Sequence, residues 1–259
     1  MSIIQAIVLG AVQGLTEFIP VSSSGHMLIV SSLFDIPSSF DFETLLNIGT
    51  LLAALVYFRA DIAKLIRSVF SPSNSPRLLG MLVAGTVPLV IGGVLFDVFL
   101  SNTLRGDFLT VLMLVGVGVL MLLVRPGART FERIKLPDAV VIGISQLLAL
   151  IPGTSRSGIT ILAGMQRGLD AAAAARFSFL LSIPAVGGAV TYTLYNLMSE
   201  GTSLSGSTGA LVVGNIAAFV TALLAIHGMI TFLKKSGLAV FGWYRIALGV
   251  ILLTVMIIN

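Results

Sequence analysis

No cysteine occurs in the chain, so disulfides and thiolate metal sites are excluded at the outset, while the compartment stays open. Charge is almost as scarce. Only 10% of the 259 residues are Asp, Glu, Lys or Arg, 56% are apolar, and the mean hydropathy is +1.06. That balance excludes a soluble globular domain. Histidine is limited to His26 and His227. A net charge of +4 and a pI near 9.8 do not signal nucleic-acid binding, because the basic residues are scattered over short connections with no basic face. The start, MSIIQAIVLG, has neither a basic n-region nor a cleavage site, so no removable signal peptide is expected.

What is present is apolar and segmented. Stretches near the roughly 20 residues that cross a bilayer recur at about 42–58, 78–96, 108–124, 173–197, 210–232 and 238–258. Two further apolar regions, 2–34 and 138–166, are interrupted by a proline followed by a Ser/Gly turn. A continuous span through Pro-x-Ser-Ser-Ser-Gly would strand backbone groups in hydrocarbon. A re-entrant pair of half-helices with its turn buried in protein accommodates the same residues. The expected fold is therefore an all-α integral membrane protein, one domain over 1–259, with six transmembrane helices and two re-entrant helix-turn-helix segments.

Loop charge orients it. Arg59, Lys64, Arg67 and Arg77 share one connection, and Arg125, Arg129, Arg133 and Lys135 another. Arg167 and Arg176 flank a third, and Lys234 and Lys235 lie in the last. The alternate connections carry Asp35, Asp41, Glu43, Asp97, Asp107 and Glu200, with Arg105 their one basic residue. Arg156 and Arg245 fall in neither set. The positive-inside rule places the basic connections in the cytoplasm and both termini outside. The two interrupted regions then enter from opposite faces, each followed by three spans. This is an inverted-topology repeat, about 1–125 and 137–259. Gln13, Phe18-Ile-Pro20 and Ser22-Ser-Ser-Gly25 parallel Gln146, Leu150-Ile-Pro152 and Ser155-Arg-Ser-Gly158, allowing one inserted residue. Such repeats place their broken helices at the midplane, where sites form.

The residues at the breaks suit an anion. A half-helix starting near His26, and another starting after Ser155–Gly158, would aim unpaired first-turn amides and positive dipole ends into the interior. Phosphate fits that arrangement best. Gly25 and Gly158 permit close backbone approach, and the serine hydroxyls add donors and caps. Arg156 in a membrane segment needs an acceptor, either phosphate oxygens or Glu17. Glu17, in turn, needs Arg156 or a divalent cation, Mg²⁺ or Ca²⁺, to stay ionised. Gln13 lies one turn away on the same face. A serine beside an arginine and an imidazole is a candidate nucleophile. The choice among Ser22, Ser23, Ser24 and His26 stays open on these grounds, and His227 reads as structural.

QGLTEFIPVSSSGH (13–26) and PGTSRSG (152–158) resemble the paired signatures of the undecaprenyl-pyrophosphate phosphatase family, bacterial membrane enzymes linked to bacitracin resistance. Gln13, Glu17, Pro20, Ser22, Gly25 and His26 match the first signature. Pro152, Gly153, Ser155, Arg156, Ser157 and Gly158 match the second. The likeness extends over the whole chain, including FSFLLSIP at 177–184. It implies removal of the terminal phosphate from undecaprenyl pyrophosphate, assisted by a divalent cation, in a multi-pass protein of the bacterial plasma membrane. It also implies a site open to the extracytoplasmic face. By resemblance Glu17, Ser23, His26 and Arg156 are catalytic, with Ser23 the favoured nucleophile and Glu17 the metal ligand. Gln13, Ser22, Ser24, Gly25, Thr154, Ser155, Ser157 and Gly158 would bind substrate. Gln13 stands where some members carry glutamate, which argues against a two-carboxylate metal mechanism. The partners expected are a polyprenyl pyrophosphate and membrane lipid, with a homodimer permitted and nucleic acid excluded.

Two other classes compete. A transporter or lipid flippase would use the same inverted repeat, but needs no nucleophile. A lipid phosphatase built on Arg-x5-His is disfavoured, since neither His26 nor His227 has an arginine at that spacing.

Overall fold

In the computed structural model, residues 1–36, 39–70, 77–99, 106–200 and 207–258 are described. Arg105, counted above in the loop charges, lies outside them. Among the described residues the regular elements are all helical: α1 (Ile3–Phe18), α2 (Ser23–Leu33), α3 (Phe40–Tyr57), α4 (Arg59–Phe70), α5 (Arg77–Phe99), α6 (Asp107–Leu123), α7 (Leu136–Ser145), α8 (Arg156–Gln166), α9 (Ala171–Glu200), α10 (Thr208–Ser236) and α11 (Ala239–Ile258). A short 3-10 turn precedes α7 at Phe131–Arg133, and another, Gln146–Leu150, continues it.

Helices α3, α9 and α10 are long and apolar enough to cross a bilayer. Shorter apolar helices run over Ile3–Phe18, Arg77–Gly93, Phe108–Leu123, Leu136–Leu150 and Ala239–Thr254. Large apolar side chains such as Leu52, Val90, Leu224, Trp243 and Ile251 stand exposed. In water such a surface would aggregate; against acyl chains it is the expected exterior. The chain is a multi-pass membrane protein. Proline alone does not break its helices, for Pro88 and Pro184 lie inside continuous α5 and α9. The helix stops at Pro20 and Pro152, where serines and glycine follow.

Small residues set the packing. A Cβ on Gly10 would fall 2.0 Å from Gly214 O, so α1 lies backbone to backbone on α10. A Cβ on Gly143 would fall 2.4 Å from Gly85 O, giving α7 and α5 the same contact. Gly118 and Gly242 do likewise for α6 and α11. Without a hydrophobic drive between helices in lipid, such close approach supplies the association energy.

The basic connection 59–77 contains a helix the sequence reading treated as a loop. α4 docks through Ile62 and Leu65, and Asp61 pairs with Arg176 at 2.6 Å. Arg176 also lies 4.4 Å above the Phe131 ring. Nearby, buried Asp138 pairs with Arg129 and Arg167 and accepts from Lys135 N. These contacts pin the 125–135 connection to the start of α7 and the end of α8.

Candidate active site

Two serines start the half-helices. Ser22 caps α2 with φ 76° and ψ 100°, and Ser155 caps α8 with φ 68° and ψ 110°. Each hydroxyl accepts from the amide three residues on, Gly25 N at 3.3 Å and Gly158 N at 3.2 Å. Each lies beside the serine two residues on, Ser24 at 3.1 Å and Ser157 at 3.2 Å. The first half-helix thus begins at Ser23, earlier than the position near His26 expected from sequence, because the Ser22 hydroxyl satisfies a first-turn amide.

The turns touch each other. Gly153 N donates to Ser24 Oγ at 3.3 Å, and Ser157 Oγ donates to Ile19 O at 3.4 Å. Arg245 of α11 fastens them. Fully buried, it donates to Pro20 O in the first turn and to Gly153 O and Thr154 O in the second, at 3.3, 2.7 and 3.0 Å. It also reaches Met113 O and Leu114 O of α6. A guanidinium buried among carbonyls is tolerated because each of its three nitrogens has a carbonyl partner.

Glu17 and Arg156 meet across this junction. Arg156 Nη2 lies 2.7 Å from Glu17 Oε1, with both side chains near 12% exposed. Arg156 Nη1 also reaches Ser178 O on α9 at 3.3 Å. Glu17 Oε2 accepts from Ser23 Oγ at 2.9 Å and from Gln13 Nε2 at 3.0 Å. Ser23 is therefore in contact with a carboxylate.

His26 faces elsewhere. Its Nδ1 lies 2.8 Å from Ser22 O, which can only accept, so Nδ1 carries a hydrogen. Nε2 lies 2.7 Å from the Tyr244 hydroxyl, and the two rings stack with centroids 5.7 Å apart. In the neutral ring Nε2 accepts from Tyr244.

The residues singled out from sequence thus gather around the two turns. Gln13, Glu17, Ser22, Ser23, Ser24, Gly25 and His26 lie on one side, and Thr154, Ser155, Arg156, Ser157 and Gly158 on the other. Gln146 departs from its sequence parallel with Gln13. Its amide donates to Gly85 O at 2.9 Å and braces α5. His227 lies near the Tyr57 hydroxyl, 3.5 Å away. Arg245, Tyr244, Asn47 and Ser178 were not singled out. A charged residue in the apolar run 238–258 was the available signal for Arg245; partners that are backbone carbonyls leave no trace in sequence.

A divalent cation has few ligands here. Among the described residues no three His, Cys, Asp or Glu converge. Glu17 already holds three donors, which leaves one of its four lone-pair positions. The residues fit Mg²⁺ or Ca²⁺ only if substrate oxygens complete the shell, an arrangement common for Mg²⁺ with phosphates.

Residues 6–251 match the family described as bacitracin resistance protein BacA. Curated relatives named undecaprenyl-diphosphatase are similar over nearly the whole chain. The protein of Hahella chejuensis is 38% identical, with 96% of each chain covered. That of Thermodesulfovibrio yellowstonii is 39% identical over 96% of this chain and 95% of its own. That of Micrococcus luteus is 38% identical over 99% and 98%.

Proposed function

Since this chain belongs to the bacitracin resistance protein BacA family, we propose how its own residues hydrolyse undecaprenyl pyrophosphate. The products are undecaprenyl phosphate and inorganic phosphate. The reaction returns the lipid carrier to cell-wall polymer synthesis and underlies bacitracin resistance.

The observation that carries the residue-level reading is the Ser23–Glu17–Arg156 contact. The pyrophosphate head sits between the two half-helix ends, where first-turn amides of α2 and α8 and the Arg156 fork neutralise its oxygens. Ser23 Oγ attacks the terminal phosphorus as its proton passes to Glu17 Oε2. The bond to the bridging oxygen breaks, and that oxygen leaves on the lipid monophosphate. Water then attacks the phosphoserine and gives its proton to His26 Nε2, which exchanges the Tyr244 hydroxyl for it. As the phosphorus–Oγ bond breaks, Ser23 Oγ takes its proton back from Glu17 and inorganic phosphate leaves. Arg156 stabilises the charge on the transferred oxygens in both steps. A divalent cation held by Glu17 and substrate oxygens would add charge neutralisation. Gln13, Ser22, Ser24, Gly25, Thr154, Ser155, Ser157 and Gly158 shape the pocket.

The arrangement in the membrane is part of the same reading. The segments α1–α2 and α7–α8 are re-entrant, the halves 1–125 and 137–259 form an inverted repeat, and the site opens to the extracytoplasmic face of the plasma membrane. Twin serine caps support it, as does the matched close packing of α1 on α10 and α7 on α5. Each copy carries a whole site, so a homodimer would hold two.

Phosphate release from a polyprenyl pyrophosphate by purified detergent-solubilised protein, with and without chelator, is the test. Wild type turns over with no second compartment present. Arg156→Ala and His26→Ala fall by about 100-fold or more. Full turnover in either variant removes the role assigned to that residue.

A further inference from the structure

Glu17 is braced from behind by a chain of hydrogen bonds leading to α3. The nitrogen of Gln13 that donates to Glu17 Oε2 also donates to Asn47 Oδ1, at 2.7 Å. The direction of each link is forced. An ionised carboxylate only accepts, so Gln13 must present nitrogen to it, and Asn47 must then present oxygen to that nitrogen. Thr50 Oγ1, almost wholly buried, lies 3.1 Å from the same Asn47 oxygen. The pedestal is stiff. Asn47 Nδ2 reaches Glu43 O at 3.5 Å, and Gly49 N donates to Asn215 Oδ1 of α10 at 2.6 Å. There a Cβ on Gly49 would come 2.3 Å from Asn215 O.

An amide at position 13 has two faces. With its oxygen toward Glu17 it would repel the carboxylate and offer it no hydrogen bond. Within α1 only Glu17 itself favours the nitrogen face; the Asn47 oxygen on α3 is the second acceptor that holds it there. We propose that Asn47 is a positioning residue for the phosphatase reaction, which fixes the Gln13 amide and through it aims Glu17 at Ser23. The proposal rests on Glu17 receiving the Ser23 proton, as set out above. It has a consequence for position 13. Asparagine can turn its nitrogen to meet a glutamate there, whereas an aspartate at 47 can serve only a glutamine.

Turnover of the detergent-solubilised protein on a polyprenyl pyrophosphate tests this. Asn47→Leu, similar in volume and without an acceptor, is expected to lower kcat about 10- to 100-fold, as misaligned reacting groups do. KM should change much less than kcat, because Asn47 acts on the alignment of Glu17 with Ser23 rather than on the phosphate-binding amides and Arg156. Asn47→Asp restores the acceptor and should recover most of the turnover. In a Gln13→Glu background the same change faces two carboxylates and should cost at least about tenfold relative to Gln13→Glu alone. Unchanged kcat in Asn47→Leu overturns the proposal. So does an Asn47→Asp effect that is equal in the two backgrounds. If Asn47→Leu fails to fold, the comparison of Asn47→Asp between backgrounds decides. Glu17→Gln is measured alongside. Full turnover there removes Glu17 and Asn47 together, whereas loss there with Asn47→Leu unaffected removes Asn47 alone.

Discussion

Ser22 and Ser155 hold one backbone conformation, at φ 76° and 68°, in two half-helix caps from opposite halves of the chain. A side chain at positive φ is strained by about 1–3 kcal/mol. Both serines accept that strain and cap the helix that follows. Alanine keeps the strain and loses the cap. Ser22→Ala and Ser155→Ala are each expected to lower stability by about 1 kcal/mol. Thermal unfolding in detergent measures it, and an unshifted midpoint in both variants contradicts a capping role.

Arg245 links the turns by carbonyls alone. Arg245→Met fills similar space but leaves the turn carbonyls of Pro20, Gly153 and Thr154 short of a donor. Unsatisfied buried acceptors cost about 1–3 kcal/mol each when nothing relaxes. The variant should lose at least about 3 kcal/mol and most activity, since the turns part. A stable, active Arg245→Met protein would show that the α1–α2 and α7–α8 turns hold together without it.

Helix approach gives a sharper contrast. Gly10→Ala drives a methyl to 2.0 Å from Gly214 O, while Gly80 has nothing within 4 Å of its would-be Cβ. Gly10→Ala is expected to destabilise by about 2 kcal/mol or more, the cost of overpacking. Gly80→Ala should be neutral or slightly stabilising, since alanine is the better helix former. The melting temperatures of the two variants, measured side by side, decide.

The membrane orientation is open to direct labelling, because the chain has no cysteine of its own. Phe34→Cys, in an exposed position after α2, should react with an impermeant thiol reagent in intact cells. Lys235→Cys, at the basic end of α10, should react only after the membrane is opened. The reverse pattern would invert the topology and turn the site toward the cytoplasm.

Much of this was legible in the residues. The six apolar runs became helices, α3, α5, α6, α9, α10 and α11, of which α3, α9 and α10 are long and apolar enough to cross a bilayer. The two Ser/Gly interruptions became the half-helix starts, because proline followed by capping serines leaves a helix few alternatives. Glu17 and Arg156 pointed to each other, being charges in a solvent that tolerates neither alone. Other features came only with the fold. α4 was hidden in a charged connection whose apolar residues are too few to suggest a span. Gln13 and Gln146 look equivalent by register, yet one faces Glu17 and the other the α5 backbone. The Asn47 contact joins α1 to α3 by packing, which no local pattern encodes. The split between Ser23 and His26, one on Glu17 and the other on Tyr244, depends on rotamers.

Whether the two turns act on one phosphoryl group is measured most directly by a double-mutant cycle on kcat/KM between Ser23→Ala and Arg156→Lys. A single shared site predicts that each variant alone loses about 100-fold or more and that the double variant falls little below the worse single, as residues acting as a unit do. Losses that multiply, or full activity in either single variant, would mean that the two turns do not share a pyrophosphate.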